Sequence, residues 1–571
     1  MREVRGARCI RLPVIVLALA LTAHPRSLLA QQVFGIVRDS ASQLPLPNTV
    51  VLVLDPSGRL AARSTTDQLG RFRLAPTVGK SAGRSPVRSI DKLHLRILRM
   101  GFRPHEISLA GAATRSALDI SLVSFPVMLE ELHVTSAPSC PKRPDRAAAL
   151  ELLQQVRTAL FATVLARSRN SATMTRLLYQ RRLDGASGRI LSQSVRTRIT
   201  SATSEPFSAA RSASAFVREG FREDSTGFHA YVGPDAETLV DDAFAESYCF
   251  RLMAPDRGRP RQVGLGFEPA TRDDTGHIDI VGTLWVDTLS RVLRDLTFRY
   301  VGLDRETSAL NPEGRLSFRE LANGVVLIDQ WSIRLNGEGG GAGSPTPGSE
   351  ADGMSTGASR SHAQEIGGEI ARAAWPDGYS WKPPLATIRL HAVDRQGRPA
   401  VASVVQLVDT DYQTTTDSTG FLLLTDLLPG PYTATIRDPR LAALEVPSAS
   451  STRLSAVRDS TIDARLEVET AEGFASKRCG RDSRPTGDAW VLGRVITPDG
   501  RPVKDARWSI RDEFGTALVE GGRVDDDGVF HWCQLHANAR IAIEVWRDDR
   551  RVNENRVVTD RLTTLRFVMP P

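Results

Sequence analysis

The sequence predicts a mainly β chain: three antiparallel β-sandwiches plus a central α+β domain, a helix on an antiparallel meander, between the first and second. Three observations predict it. The phrase TTDQLGRFRL (65–74) returns as TTDSTGFLLL (415–424) and as RVDDDGVFHW (523–532), each an Asp-x-x-Gly leading into apolar residues. Around every copy, short stretches of alternating apolar and polar residues are separated by turn residues about every ten positions. One stretch of the first half, PDRAAALELLQQVRTALFATVLARSR (144–169), instead repeats its apolar residues at helical spacing.

Residues 1–30 precede this plan. Arg2, Arg5, Arg8 and Arg11 lead into the apolar run LPVIVLALAL, followed by His24, Pro25, Arg26 and Ala30. A positive start, a short apolar centre and a small residue at the end make a secretory signal peptide. The run is too short to span a bilayer, and no later stretch is apolar enough to cross one as a helix. The chain is therefore expected to be exported, to the periplasm or to the outer membrane or cell surface. Its formal charge of +7 falls to about +3 once the signal is removed. No basic stripe with interleaved aromatics is present, so nucleic acid is not an expected partner. Four cysteines remain, Cys140, Cys249, Cys479 and Cys533. An even count in an exported chain predicts two disulfides, with three possible pairings.

The first sandwich occupies 31–136. VFGIVRDS opens it, with Val33, Gly35 and Val37 on one face. TVVLVL, the repeated phrase, LHLRIL, the dipeptide GF at 101–102 and LDISL follow. In the phrase, Asp67 accepts backbone N–H bonds and Gly70 takes a positive φ, so the chain turns and resumes with Phe72 and Leu74 in the core. The second sandwich, 385–469, runs through ATIRLHAVDRQGRPA, SVVQLV, Asp417 and Gly420, PYTATIRD and IDARLEV. The third, 489–571, runs through VLGRVITPDGRPV, ARWSIRD, Asp525 and Gly528, RIAIEVW and LRFVM. The expected equivalent core residues, two after each glycine, are Phe72, Leu422 and Phe530.

The order G-x-V-x-D, PL or RP, apolar strand, T-D-x-x-G-x-F and G-F resembles the carboxypeptidase regulatory-like domain, a transthyretin-like β-sandwich. The resemblance covers 33–125, 386–468 and 489–569. The second copy departs from it by placing Phe421 directly after its glycine. The third has Val524 where the pattern has Thr and lacks the Gly-aromatic pair. The resemblance implies a spacer and adhesion module of envelope proteins that itself carries no peptidase chemistry. LEELHVTS (129–136) is similar to the phrase that leads into the plug of TonB-dependent receptors. Here a helix follows it, and no barrel-length run of strands exists.

The central domain is expected over 137–337. After the helix, IDIVGTLWVDTLSRVLRDLTFRYVGL reads as two strands around a turn at 287–291, GRLSFREL and GVVLIDQWSIRL continue the meander, and 234–244 reads as one short helix. This arrangement resembles the fold of outer-membrane lipoprotein carriers. Residues 338–384 are Gly/Ser-rich and read as a flexible linker. Residues 470–488 read as a second one.

Several motifs tempt a catalytic reading. His362 and Glu365 have zinc-ligand spacing but border the linker, which offers no rigid frame. GMSTG (353–357) matches a nucleophile elbow around Ser355 without the strand and helix that an elbow needs. Asp525–Asp527 read as a solvated turn rather than a calcium loop, because position 523 is Arg. The acids Asp241, Asp242, Asp273, Asp274 and Asp279 form no catalytic pattern. Trp285, Trp331, Trp508 and Trp532 are expected on core faces, as packing rather than as a sugar platform. No catalytic, cofactor or metal residues are therefore assigned. The expected disulfides are Cys140–Cys249 and Cys479–Cys533, because each pair lies within one structural unit. The function expected is that of a non-catalytic envelope protein, its sandwiches acting as spacers or docking units around a central binding domain. Its partner would be an envelope protein or a polysaccharide. The alternatives are a polysaccharide-binding module and a hydrolase, or the regulatory part of one, with its site in 141–337.

Overall fold

The computed structural model describes residues 32–56, 60–75, 93–109, 116–124, 140, 144–169, 172–201, 212–225, 228–270, 277–322, 325–336, 362–376, 378–482, 488–558 and 561–569. The signal segment, the phrase at 129–136, GMSTG and Asp273–Asp274 lie outside the described residues.

The first unit contains β1 (Val33–Asp39), β2 (Val50–Leu54), β3 (Leu60–Thr65), β4 (Arg71–Leu74), β5 (His94–Leu98), β6 (His105–Ser108) and β7 (Leu118–Leu122). They form two sheets, ordered β4-β1-β7 and β3-β2-β5-β6. One apolar core closes both, with Val33, Val37, Val53, Phe72, Leu95 and Ile120 among its buried residues.

The central unit opens with α1 (Arg146–Arg169), then β8 (Thr173–Asp184), β9 (Ile190–Ser201), α2 (Ala213–Glu219), β10 (Arg222–Ser225) and β11 (Phe228–Tyr231). There follow α3 (Ala236–Val240), α4 (Asp242–Ser247), β12 (Tyr248–Leu252), β13 (Gln262–Pro269), β14 (Asp279–Asp287), β15 (Val292–Val301) and α5 (Arg305–Ala309). β16 (Glu313–Glu320), β17 (Val326–Asn336), β18 (His362–Ala374) and β19 (Ser380–Trp381) complete it. Its ten-stranded sheet runs β12-β13-β14-β15-β16-β17-β18-β8-β9, with β19 beside β18. The apolar stripe of α1, Ala149, Leu152, Val156 and Leu160, packs on one face of this sheet against residues such as Leu265, Leu296 and Leu316. The helix-on-meander expectation is met.

The second unit contains β20 (Ala386–Val393), β21 (Val404–Leu407), β22 (Gln413–Thr415), β23 (Phe421–Leu427), β24 (Gly430–Arg437), α6 (Pro439–Ala443), β25 (Ser450–Ala456) and β26 (Thr461–Glu467). After α7 (Ala471–Asp482), the third contains β27 (Ala489–Ile496), β28 (Arg507–Asp512), β29 (Ala517–Arg523), β30 (Val529–Leu535), β31 (Arg540–Arg547), β32 (Arg550–Val557) and β33 (Leu562–Val568). Their sheets are ordered β23-β20-β26 with β22-β21-β24-β25, and β30-β27-β33 with β29-β28-β31-β32. All three units share one strand order.

Four expectations need correction. The sandwiches are not wholly antiparallel: the first and last strands pair in parallel in each, β1 with β7, β20 with β26 and β27 with β33. The five strands between them form the crossover that a parallel pair needs. The supposed linker at 338–384 contains β18, which lies between β17 and β8 in the central sheet. Gly367 and Gly368 permit this, because a Cβ there would collide with the rings of Tyr179 and Trp331 that lie across them. The supposed linker at 470–488 contains α7, whose start is capped by Thr470 through Gly473 N–H at 3.0 Å. The single short helix at 234–244 is two, α3 and α4, broken where Asp241 turns extended and caps α4 through Ala243 N–H.

The repeated phrase has the same hydrogen bonds each time. Asp67 Oδ1 accepts from Leu69 and Arg71 N–H, both at 2.9 Å. Asp417 Oδ1 accepts from Thr419 and Phe421 N–H, and Asp525 Oδ1 from Asp527 and Val529 N–H. Gly70, Gly420 and Gly528 all sit at φ between +71° and +77°, each with a backbone carbonyl 2.5 Å from where a Cβ would stand. The Thr before the Asp is also structural. Thr66 Oγ1 donates to Leu46 O at 2.6 Å and accepts from Thr49 N–H at 2.8 Å, and Thr416 does the same between Ala400 O and Ser403 N–H.

Phe72, Leu422 and Phe530 occupy one equivalent core position. Their cross-strand partners are Gly35, Leu390 and Gly493. Across the strand pair the aromatic faces a glycine in two copies, its ring filling the Cβ space of Gly493 in the third, and two leucines share the position in the other. Phe421, one residue before Leu422 and so on the outer face, is 39% exposed and stacks on His391 at 4.0 Å.

Candidate functional site

The units join through contacts that are themselves buried. Between the first sandwich and the centre, Gly101 N–H donates to Gln155 Oε1 on α1 at 2.7 Å, and Arg291 donates back to Gly101 O. Val50 and Ala162 pack there. Between the centre and the second sandwich, Arg458 grips Glu369 of β18 through two bonds of 2.8 Å. Leu177, Val195 and Ala371 of the central sheet belong to the second sandwich's own core. Between the second and third, α7 buries Ala471, Ala475 and Cys479 against Trp490, Leu492, Val529 and Cys533. Asp438, buried at the start of α6, accepts from Ala471 N–H at 3.0 Å.

One disulfide lies at the last of these joints, and the other ties residue 140 to the central sheet. Cys140 is bonded to Cys249 on β12, Cα atoms 5.5 Å apart, and Cys479 on α7 to Cys533 on β30, 5.8 Å apart. Cys533 faces away from the sandwich core that holds Phe530, and α7 covers it. Exported proteins are where such bonds form and persist, and among the described residues no helix is long and apolar enough to cross a membrane.

The other singled-out residues are dispersed. His362 and Glu365 lie on β18, opposite Asp184 and Arg181 of β8. Three residues apart on a strand, they point to opposite faces and cannot share a metal. Glu365 pairs with Arg181 at 3.5 Å. Among the described residues no group of three or more His, Cys, Asp or Glu could hold a metal ion. Asp525 is occupied by its turn and by Arg478 at 3.0 Å. Asp241 caps α4, and Asp242 pairs with Arg157. Asp279 accepts from the Tyr248 hydroxyl. Burial pushes the Asp279 carboxyl above its ordinary value, against that hydrogen bond, and burial and the Asp279 charge push Tyr248 up. No Trp is exposed. Trp508 lies in the core of the third sandwich, but Trp285 lies on the sheet face opposite α1, beneath the Arg259 guanidinium at 4.7 Å.

Several cavities adjoin the central unit, and two of them are sizeable. The larger, about 960 Å³, lies between the first sandwich and α1, with the Cys140–Cys249 bond, Tyr248 and Phe250 in its wall and Arg and Glu side chains of mixed sign at its rim. The smaller, about 520 Å³, opens on the outer face of β15–β17. Its walls are polar, and two buried carboxylates anchor them. Asp295 accepts from Arg259 at 2.9 Å, from Arg315 at 2.6 Å and from Ser317 at 3.3 Å. Burial opposes its ionisation, but the two guanidinium groups outweigh burial and hold it below the ordinary aspartate value. Asp329 is the extra residue of a β-bulge between β16 and β17. Its Oδ2 accepts from Arg319 Nε at 2.6 Å, while Oδ1 is shut from solvent without a side-chain donor among the described residues. Burial, with Glu369 nearby, pushes this carboxyl up despite Arg319. Nothing in the sequence marks this pair. Asp295 and Asp329 sit inside ordinary strands, and only the bulge turns Asp329 into the pocket wall.

Fold and site together define a mainly β, multi-sandwich chain with a polar pocket on its central sheet. No family model matches it, and no curated protein matches it in sequence. It is similar in part to the Bacillus anthracis TIE protein, at 9% identity over 60% of this chain and 62% of that one, TM-score 0.16. The chain thus spans less than two thirds of that protein. The shaft pilin spaA from Lactobacillus rhamnosus GG is similar at 11% identity over 33% of this chain and 98% of the pilin, TM-score 0.13. A streptococcal ancillary pilin is similar at 12% identity over 37% and 78%, TM-score 0.15. At these TM-scores the likenesses carry no weight for function.

Proposed function

We propose that the protein is a non-catalytic exported envelope protein, periplasmic or surface-associated, in which three sandwiches hold a central binding domain at a fixed place and spacing. One observation carries this reading. Every junction between units is built, with a buried charge pair, a shared core or a disulfide, whereas a chain of tethered modules would have bare linkers. The sandwiches keep one strand order and differ mainly in what their outer faces meet: α1, the central sheet, or α7. Their role is to transmit position, and the central sheet contributes the pockets. The partner is an envelope protein or an envelope polysaccharide.

Cosedimentation of the purified mature chain with isolated envelope fractions tests this. Binding is expected, without turnover of C-terminal peptide or ester substrates in the presence of zinc. Binding that survives protease treatment of the envelope identifies a polysaccharide; binding lost by it identifies a protein. Turnover abolished by His362→Ala would overturn the non-catalytic reading.

A further inference from the structure

The strand that follows the repeated corner lies at the edge of its three-stranded sheet in every sandwich, as β4, β23 and β30. An open edge invites another strand, and proteins blunt it with charge or with a covering element. Two of these three edges are blunted. β4 sets exposed Arg71 and Arg73 on its outer face. β30 has Val529 and Cys533 on that face, both buried against α7. At the positions of Arg71 and Arg73, β23 instead carries Phe421 and Leu423, which are 39% and 56% exposed. Among the described residues no strand pairs with the open side of β23.

The backbone of β23 is open as well. Gly420 C=O accepts from Ala392 N–H, and the register then sets Leu422 opposite Leu390 and Leu424 opposite Ile388. By the antiparallel alternation these residues bond to β20, so Leu423 turns its N–H and C=O away from it. Phe421 does the same, but Asp417 holds both its groups in the corner. Leu423 is thus the residue through which a further strand joins. The strand is its own complement. FLLLTDL sets Phe421 and Leu423 outward and Leu422 and Leu424 inward, so an antiparallel copy continues both faces at once. With Leu423 on a twofold axis, the two leucines exchange backbone bonds and lie side by side, and each Phe421 faces Thr425 of the other copy. Charge does not oppose the pairing. Arg389 is paired with Asp463 and Lys382 with Asp426, each at 2.6 Å, so a like copy meets a strip without net charge. One such axis covers both edges and leaves no growing end.

We infer that the protein self-associates through its second sandwich, β23 pairing antiparallel with β23 of a second copy so that their three-stranded sheets join edge to edge. The inference goes beyond the spacer reading and does not depend on which envelope partner is bound. Sedimentation velocity of residues 31–571 from about 1 to 100 µM tests it. A monomer–dimer equilibrium is expected. Phe421→Arg combined with Leu423→Arg, which sets there the arginines of the first sandwich, should weaken the dimer at least about 10-fold. Thr425→Arg, at an exposed position away from the His391 stack, should weaken it severalfold and decides the matter if the double variant melts early. Gln406→Arg, exposed on the other sheet of the same sandwich, should leave the dimer as it was. A chain that stays monomeric over the whole range overturns the inference. So does a dimer that the edge variants leave intact, or one that Gln406→Arg weakens equally. If the chain is monomeric and the edge variants instead abolish binding to envelope fractions, the edge takes a partner's strand: self-pairing is then wrong and the docking reading stands.

Discussion

At the scale of single residues, the repeated phrase is a hydrogen-bonded corner, and each of its positions has a physical task. Gly70, Gly420 and Gly528 combine positive φ with a carbonyl where a Cβ would be. Replacing any one by Ala should cost at least about 1–3 kcal/mol, read as an earlier denaturant midpoint for the affected unit. Thr66→Val or Thr416→Val should cost about 1–3 kcal/mol, because each leaves a buried N–H without its acceptor. Val524→Thr in the third copy should be tolerated, since Val524 N–H pairs with Ala506 O as Thr66 N–H pairs with Thr49 O. The Asp and Gly roles were legible in the sequence, because a turn is a local object and the donors to its Asp lie within four residues; the threonine roles were not, because their partners lie 13 to 20 residues away. The compensation between Gly35–Phe72 and Leu390–Leu422 was not, because it depends on which residue lies across the strand pair. Nor was the pocket: its two acids are ordinary strand residues until a bulge and a bend bring them together.

At the scale of elements, the two linker readings that failed, at 338–384 and 470–488, share a cause. β18, HAQEIGGEIARAA, has only Ile366 and Ile370 as strand formers among Ala, Glu, Gln and Gly, and Tyr179 and Trp331 fill the space its glycines leave. α7 is short and contains Gly473 and Gly480, so it has little helical tendency of its own; it is held by the third sandwich and by Cys479–Cys533. Removing that bond by paired Cys479→Ser and Cys533→Ser should therefore destabilise the joint by up to about 4 kcal/mol and open 470–488 to limited proteolysis before either sandwich is cut. The central sheet makes a prediction in pH. Asp279, Glu320 and Asp329 have raised values in the folded state, so the proton each takes up as pH falls through its folded value favours folding. Asp295 is lowered, so its contribution is present above the unfolded value and is lost only as pH falls through the folded one. Melting temperature should stay level or rise on mild acidification from neutral pH and drop below about pH 4. Asp295→Asn should remove part of that low-pH drop.

At the scale of the whole molecule, the sequence foretold three like units and a helix on a meander but not their joining. Composition marks a linker by what cannot form a core, whereas a joint depends on what the neighbouring unit offers. Arg458 and Glu369 lie 89 residues apart in the chain, and Gln155 and Gly101 lie 54 apart. Neither pair belongs to a local pattern. The central claim is that the four units hold fixed positions. Small-angle X-ray scattering of residues 31–571 in solution tests it most directly. A profile fitted by one arrangement of the four units, unchanged across salt concentrations that screen exposed charges, is the predicted result. A profile that needs an ensemble of separated units, with a radius of gyration that grows with salt, would contradict it.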